Sequence, residues 1–251
     1  MCGRYTLRTP AARLMELFHV AQLPTLSPRY NIAPTQLVLA IRQSAEITSL
    51  REAIMMRWGL VPFWAKDLAI GSTMINARSE TVAEKPAFRN AFKRHRCLIP
   101  ADGFYEWQKL TTGKKQPWWI HQENETPFAM AGLWESWTPK DASKDNPENV
   151  VLSCSILTTA ANKDMSVLHD RMPVILPIEA WSTWLSPAAT SDQLTSLLQP
   201  LPEGQLHFRA VSTTVNRPIT DNAELLNPVD SPEPLRFSHG VLKNDPAPPH
   251  E

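Results

Sequence analysis

The chain opens MCGRYTL, and Cys2 becomes the N-terminal residue once Met1 is removed. A cysteine in that place carries two nucleophiles on adjacent carbons: an α-amine with a reference pKa of about 8 and a thiol of about 8.5. With an aldehyde, the amine forms an imine and the thiol closes a five-membered thiazolidine. With an acyl group, the thiolate attacks alone, as in N-terminal-nucleophile hydrolases. The stretch itself does not choose between these, and a lone Cys2 is more often incidental than reactive.

Three further stretches carry chemistry-bearing side chains. In INARSET (75–81), Asn76 and Arg78 sit two apart, so an extended segment turns both to one side. An amide there orients a reacting group, and a guanidinium grips phosphate or carboxylate; a turn asparagine beside a surface arginine is the plain alternative. In CLIPADGFYEWQK, Glu106 lies among aromatics, where a carboxyl group can exchange protons near neutrality unless it merely faces solvent from a strand edge. In LHDRMPVIL, His169 is a natural proton carrier, Asp170 can hold the loop or pair with a base, and Arg171 can bind phosphate. An isolated histidine is nonetheless more commonly structural.

The chain has nine tryptophans. WGLVPFW gathers Trp58, Phe63 and Trp64 just before Lys66, and aromatics beside cations suit stacking on unpaired bases. Most of the nine belong in a core, leaving one or two to be exposed. From Asn76 to Arg96 there are six bases (Arg78, Lys85, Arg89, Lys93, Arg94, Arg96) against Glu80 and Glu84. This local basic excess stands out in a chain whose 25 Lys and Arg balance 25 Asp and Glu, a zero net charge that argues against a general nucleic-acid coat.

The elements that must hold these residues are mostly short strands. Thr9-Pro10 predicts an N-capped helix running to about Val20, and Pro86 to Arg94 a second. LVLAI and AIMMRWGL read as strands. GFYEWQKL, the turn TTGKK and QPWWIHQ read as a hairpin. FAMAGLWESW and VVLSCSILTT flank a polar surface loop, PKDASKDNPEN. Late helices are expected over 178–185 and 192–198, with LHFRAVS as a final strand. Strands and helices do not alternate, so the fold class expected is α+β, a barrel-like arrangement of antiparallel sheets, rather than a doubly wound parallel sheet.

At 251 residues the chain is long enough for one large domain. Cys2, Cys97 and Cys154 are odd in number and form no CxxC, so neither a disulfide framework nor a structural zinc site is expected. With no signal-like segment and no long apolar run, a reduced, cytoplasmic protein is expected. Beyond Val229 the chain is rich in proline, and over 221–251 it has six acids against Arg236 and Lys243; 230–251 is expected to be a disordered tail.

MCGRY, RYNIAP, MRWGLVPFWAK, INARSET, CLIPADGFYEWQK, KKQPWWI, ILTTAAN, LHDRMPVIL and VSTTVN occur in the order and approximate spacing of the SRAP family, the SOS-response-associated peptidase or abasic-site processing proteins. The resemblance covers residues 1–229 as one domain; its one small departure is Ala223 before Glu224, where the family more often has proline. It implies covalent capture of abasic sites in single-stranded DNA, with Cys2 forming the thiazolidine after Met1 is lost, through self-processing or an aminopeptidase. It further implies that Asn76 orients the linkage, Glu106 shuttles protons and His169 assists opening of the sugar ring. Arg4, Arg78 and Arg171 would hold phosphates, and Trp64, Trp107 and Thr158 would line the DNA path. No cofactor or metal, no membrane and a monomeric state are expected. The alternative is a cysteine peptidase or amidase using Cys2 on a peptide.

Overall fold

A computed structural model of the chain describes residues 2–44, 50–142, 146–237 and 240–241. In chain order the elements are β1 (Tyr5–Leu7), α1 (Ala11–Phe18), β2 (Arg29–Ile32), β3 (Leu37–Gln43), β4 (Arg51–Trp58), β5 (Asn76–Arg78) and α2 (Arg89–Arg94). There follow β6 (Arg96–Ala101), β7 (Gly103–Lys109), β8 (Lys115–His121), β9 (Phe128–Trp137), β10 (Val151–Ala160), α3 (Lys163–Ser166), β11 (Arg171–Pro173) and β12 (Ile175–Leu176). The chain closes with α4 (Trp181–Leu185), α5 (Ser191–Ser196), β13 (His207–Ala210) and the small pair β14 (Arg236–Phe237) and β15 (Gly240–Val241).

One sheet runs β13-β8-β7-β1-β2, antiparallel throughout. The other runs β11-β10-β4-β3-β6-β9-β12, and because β10 also pairs with β9, five of its strands close into a ring, β10-β4-β3-β6-β9. The expected α+β architecture on antiparallel sheets is what the chain adopts. The exceptions are two parallel pairs, both made by β10: Cys154 with Trp58 on β4, and Ile156 with Asn76 on β5. The first half of β10 closes the ring. Its second half leaves the ring to meet β5 and β11, and there the candidate residues collect.

Alternation along the β7–β8 hairpin explains how the first sheet is covered on both sides. Phe104, Trp118 and Ile120 join the main core with the ring, whereas Tyr105 and Trp119 join a second cluster with Val211, Val215 and Leu225. Trp58, Trp118, Trp119, Trp181 and Trp184 are fully buried; Trp64 is the one large tryptophan surface left open, 47% exposed. It rides with Phe63 on the segment between β4 and β5. That segment is held by a close crossing of Gly59 and Gly71: at Gly59 φ is +124° and a Cβ would lie 2.4 Å from the Gly71 carbonyl oxygen.

Two expectations change. Thr9 does not cap α1: its N–H and Oγ1 both donate to Asp102 Oδ2 (3.0 and 3.1 Å), and Pro10 takes the cap position without a side-chain bond. Residues 230–237 pack onto the domain. Leu235 and Phe237 are buried, Phe237 against Phe208, and Glu233 Oε1 accepts from the Thr111 N–H. Residues 238–239 and 242–251 of the expected tail lie outside the described residues, as do 143–145 of the polar loop.

Asp102 is almost fully buried and accepts from Thr6 Oγ1 and the Arg8 N–H at 2.6 Å as well as from Thr9. It thereby fixes the path of β1, the strand that Cys2 leads into. Asp102→Ala would leave these donors unpaired and is expected to cost about 3 kcal/mol, read as a lowered urea midpoint at unchanged m-value.

Candidate active site

Cys2 lies at the head of β1. The Tyr105 N–H donates to the Arg4 carbonyl (2.9 Å), and the antiparallel register of β1 with β7, carried toward the N-terminus, sets Gly3 against Glu106. From the other sheet, β5 brings Asn76, whose Nδ2 donates to the Cys2 carbonyl at 2.9 Å. This bond spans the seam between the sheets and fixes the backbone of the candidate nucleophile. It also fixes the amide's orientation, and Asn76 Oδ1 is buried with no hydrogen-bond partner among the described residues. An acceptor left open beside Cys2 is a ready seat for an amine N–H.

The Cys2 side chain is fully buried. Burial, and then the negative charge of Glu106, push its thiol up to about 12, so the sulfur is a neutral S–H at physiological pH. Glu106 is itself buried and close enough to act electrostatically on that sulfur. Met1 lies outside the described residues.

His169 stands in the loop between α3 and β11. Its Nδ1 is 2.9 Å from the Arg171 N–H and 2.8 Å from Asp170 Oδ1. Nδ1 accepts from the Arg171 N–H, a bond that holds the ring against the start of β11. The loop is built by Asn162, which caps α3 by accepting from the Met165 N–H (2.9 Å) and donates from Nδ2 to the Leu201 carbonyl (2.8 Å).

The expected phosphate contacts differ in availability. Arg78 is exposed at the end of β5. Arg4 is half-buried, with Nη1 donating to Asn31 Oδ1 (2.7 Å) and the Val215 carbonyl (2.8 Å). The Arg171 side chain is only 12% exposed and meets Glu80 through two bonds of 2.5 and 2.9 Å, while donating to the Thr158 carbonyl at 2.6 Å. The Arg171 hydrogen bonds hold the Glu80 carboxyl below the usual carboxylate range. Thr158 is fully buried beneath this guanidinium rather than at the surface. Trp107 is partly buried and donates from Nε1 to Asn216 Oδ1 at 2.8 Å.

Sequence reasoning missed Glu80 and Asn31. Glu80 sits two residues beyond Arg78 and reads as a surface acid, because its partner is 91 residues away. Asn31 is fully buried; besides accepting from Arg4, it donates from Nδ2 to carbonyls of Val215, Arg217 and Thr220 (3.2, 3.0 and 2.6 Å). Nothing local to RYNIAP signals these distant partners.

No helix of the described residues is long and apolar enough to cross a membrane. The chain resembles the abasic site processing protein YoqW of Bacillus subtilis, with 43% identity over 230 residues covering 90% of this chain and 99% of that protein. It is 32% identical to the abasic site processing protein HMCES of Pongo abelii over 81% of this chain and 66% of that one. Among solved structures, a Bacteroides thetaiotaomicron protein superposes with a TM-score of 0.80 at 24% identity, over 91% of this chain and all of that one. A Bordetella bronchiseptica protein does so at 0.71 and 29%, over 84% of this chain and all of that one. The model of the SRAP family, SOS response associated peptidase, matches residues 1–218, and the chain is a member of that family.

Proposed function

We propose that this chain captures abasic sites in single-stranded DNA through Cys2 once Met1 has been removed, by the protein itself or by an aminopeptidase. The observation that carries the reading is the Asn76–Cys2 bond across the seam, with an open amide oxygen beside it and the buried Glu106 close enough to act electrostatically on the thiol. The ring-opened abasic sugar presents a C1′ aldehyde. The Cys2 amine adds to it, a proton reaches the carbinolamine oxygen, and water leaves to give the imine. The Cys2 S–H then adds across the C=N bond: sulfur bonds C1′, the nitrogen gains the proton, and the thiazolidine closes. Glu106 carries protons in both steps, Asn76 Oδ1 holds the amine, and His169 helps open the sugar ring. The discriminating result is a covalent adduct with aldehyde-bearing DNA against turnover of a peptide.

Arg4, Arg78 and Arg171 take phosphates, with Trp64 and Trp107 shaping the path. Because Glu80 already occupies Arg171, a phosphate there competes with a carboxylate. Salt titrations of single-strand binding test this. Arg78→Ala and Arg171→Ala are each expected to flatten the log–log salt slope by about 0.7, and Glu80→Gln to tighten binding. Unchanged slopes in both arginine variants would place the DNA elsewhere.

A further inference from the structure

The turn Arg217-Pro218-Ile219-Thr220 directly follows Asn216, which accepts from Trp107 Nε1, and it straddles the end of the family match at residue 218. Its backbone is fixed from three directions. The Thr220 N–H donates to the Arg217 carbonyl (3.0 Å), closing the turn around Pro218, whose ring presets φ. Asn31 Nδ2 reaches the carbonyls of Val215, Arg217 and Thr220 at once. At the far end Asp221 accepts from Arg29 Nε (2.5 Å) and the Asn31 N–H (3.0 Å).

The side chains of this rigid turn point outward: Arg217 is exposed and Ile219 is 91% exposed. A single exposed isoleucine is ordinary on a surface. This one is held on a turn that shares its anchor, Asn31, with Arg4, and that touches Trp107 through Asn216. On β7 Trp107 faces the Tyr105 cluster, opposite to Glu106. The turn's link to the site is that Arg4 and Trp107, both proposed to meet the DNA, are held by Asn31, Val215 and Asn216, so the turn borders that proposed path. A cation and an apolar side chain on a preordered backbone make a surface for one phosphate and one base face whose backbone needs no ordering on binding.

We propose that the Arg217–Ile219 turn is a DNA-contacting tip in which Arg217 takes a backbone phosphate and Ile219 packs on an unpaired base flanking the abasic position. This rests on the reading of the site as a single-strand binder and adds a second apolar tip to that of Phe63 and Trp64.

The test uses the full chain and an oligonucleotide carrying a tetrahydrofuran abasic analogue, which binds but has no aldehyde. 2-Aminopurine is placed on either flank. Ile219→Ser is expected to weaken binding about five-fold through lost apolar burial and to change the 2-aminopurine signal on one flank only. Arg217→Ala is expected to lower the salt slope by about 0.7. Both side chains are exposed, so melting temperatures are expected to stay at the wild-type value. Wild-type affinity, slope and fluorescence in both variants, with Arg78→Ala still weakened, would overturn the tip while leaving the single-strand reading intact. If the wild-type protein itself fails to bind the oligonucleotide, the single-strand reading falls and the tip with it.

Discussion

Cys2→Ala is expected to abolish the heat-stable adduct with single-stranded abasic DNA, a loss on the order of 1,000-fold or more. The variant keeps an α-amine once Met1 is removed, so borohydride should still trap an imine; what it lacks is the sulfur that closes the ring. The residue is fully buried in the seam, and serine or alanine in its place removes little volume, so folding should survive. Binding to the tetrahydrofuran analogue, measured in parallel, should remain near wild type. Inserting one residue between Met1 and Cys2 gives the complementary result, because an internal Cys2 retains its thiol and loses its free amine. A full yield of unreduced, heat-stable adduct from Cys2→Ala would assign the nucleophile to another residue.

Glu106→Gln is expected to slow single-turnover crosslinking by about 100- to 10,000-fold with little change in binding. The substitution has a second, opposite consequence that separates chemistry from packing. The Glu106 charge helps push the Cys2 thiol up, so removing it should make that thiol more acidic. Alkylation of Cys2 against pH should therefore shift toward lower pH while crosslinking slows. A merely structural glutamate would not produce that pair of changes. Wild-type crosslinking rates across the pH range would remove Glu106 from the mechanism.

Much of this arrangement is legible in the sequence because its determinants are local. The β7–β8 hairpin follows from alternating residues around TTGKK, and Gly113 at φ +81° supplies the turn. Cys2, Asn76, Glu106 and His169 are marked by residue type within short motifs. The structure brings Cys2, Asn76 and Glu106 to one seam and sets His169 beside Arg171. The remainder depends on contacts between distant segments. Thr9 reads as a helix cap, but Asp102, 93 residues away, offers a buried carboxylate that takes both its donors. The proline-rich composition after Val229 hides Leu235 and Phe237, which find an apolar surface at Phe208. Closure of the ring through β10 is likewise invisible locally, since VVLSCSILTT reads as one strand and does not reveal that it has partners on both sides. The pairing of Arg171 with Glu80 is of the same kind: each side chain reads as a free charge until the fold joins them.

The most direct test is the intact mass of the full-length protein after incubation with a single-stranded oligonucleotide containing one abasic site, without reductant and after heating. Capture as a thiazolidine gives the mass of the protein lacking Met1 plus the oligonucleotide minus one water. Active protein that retains Met1, or an adduct that survives heating only after borohydride treatment, would contradict the mechanism.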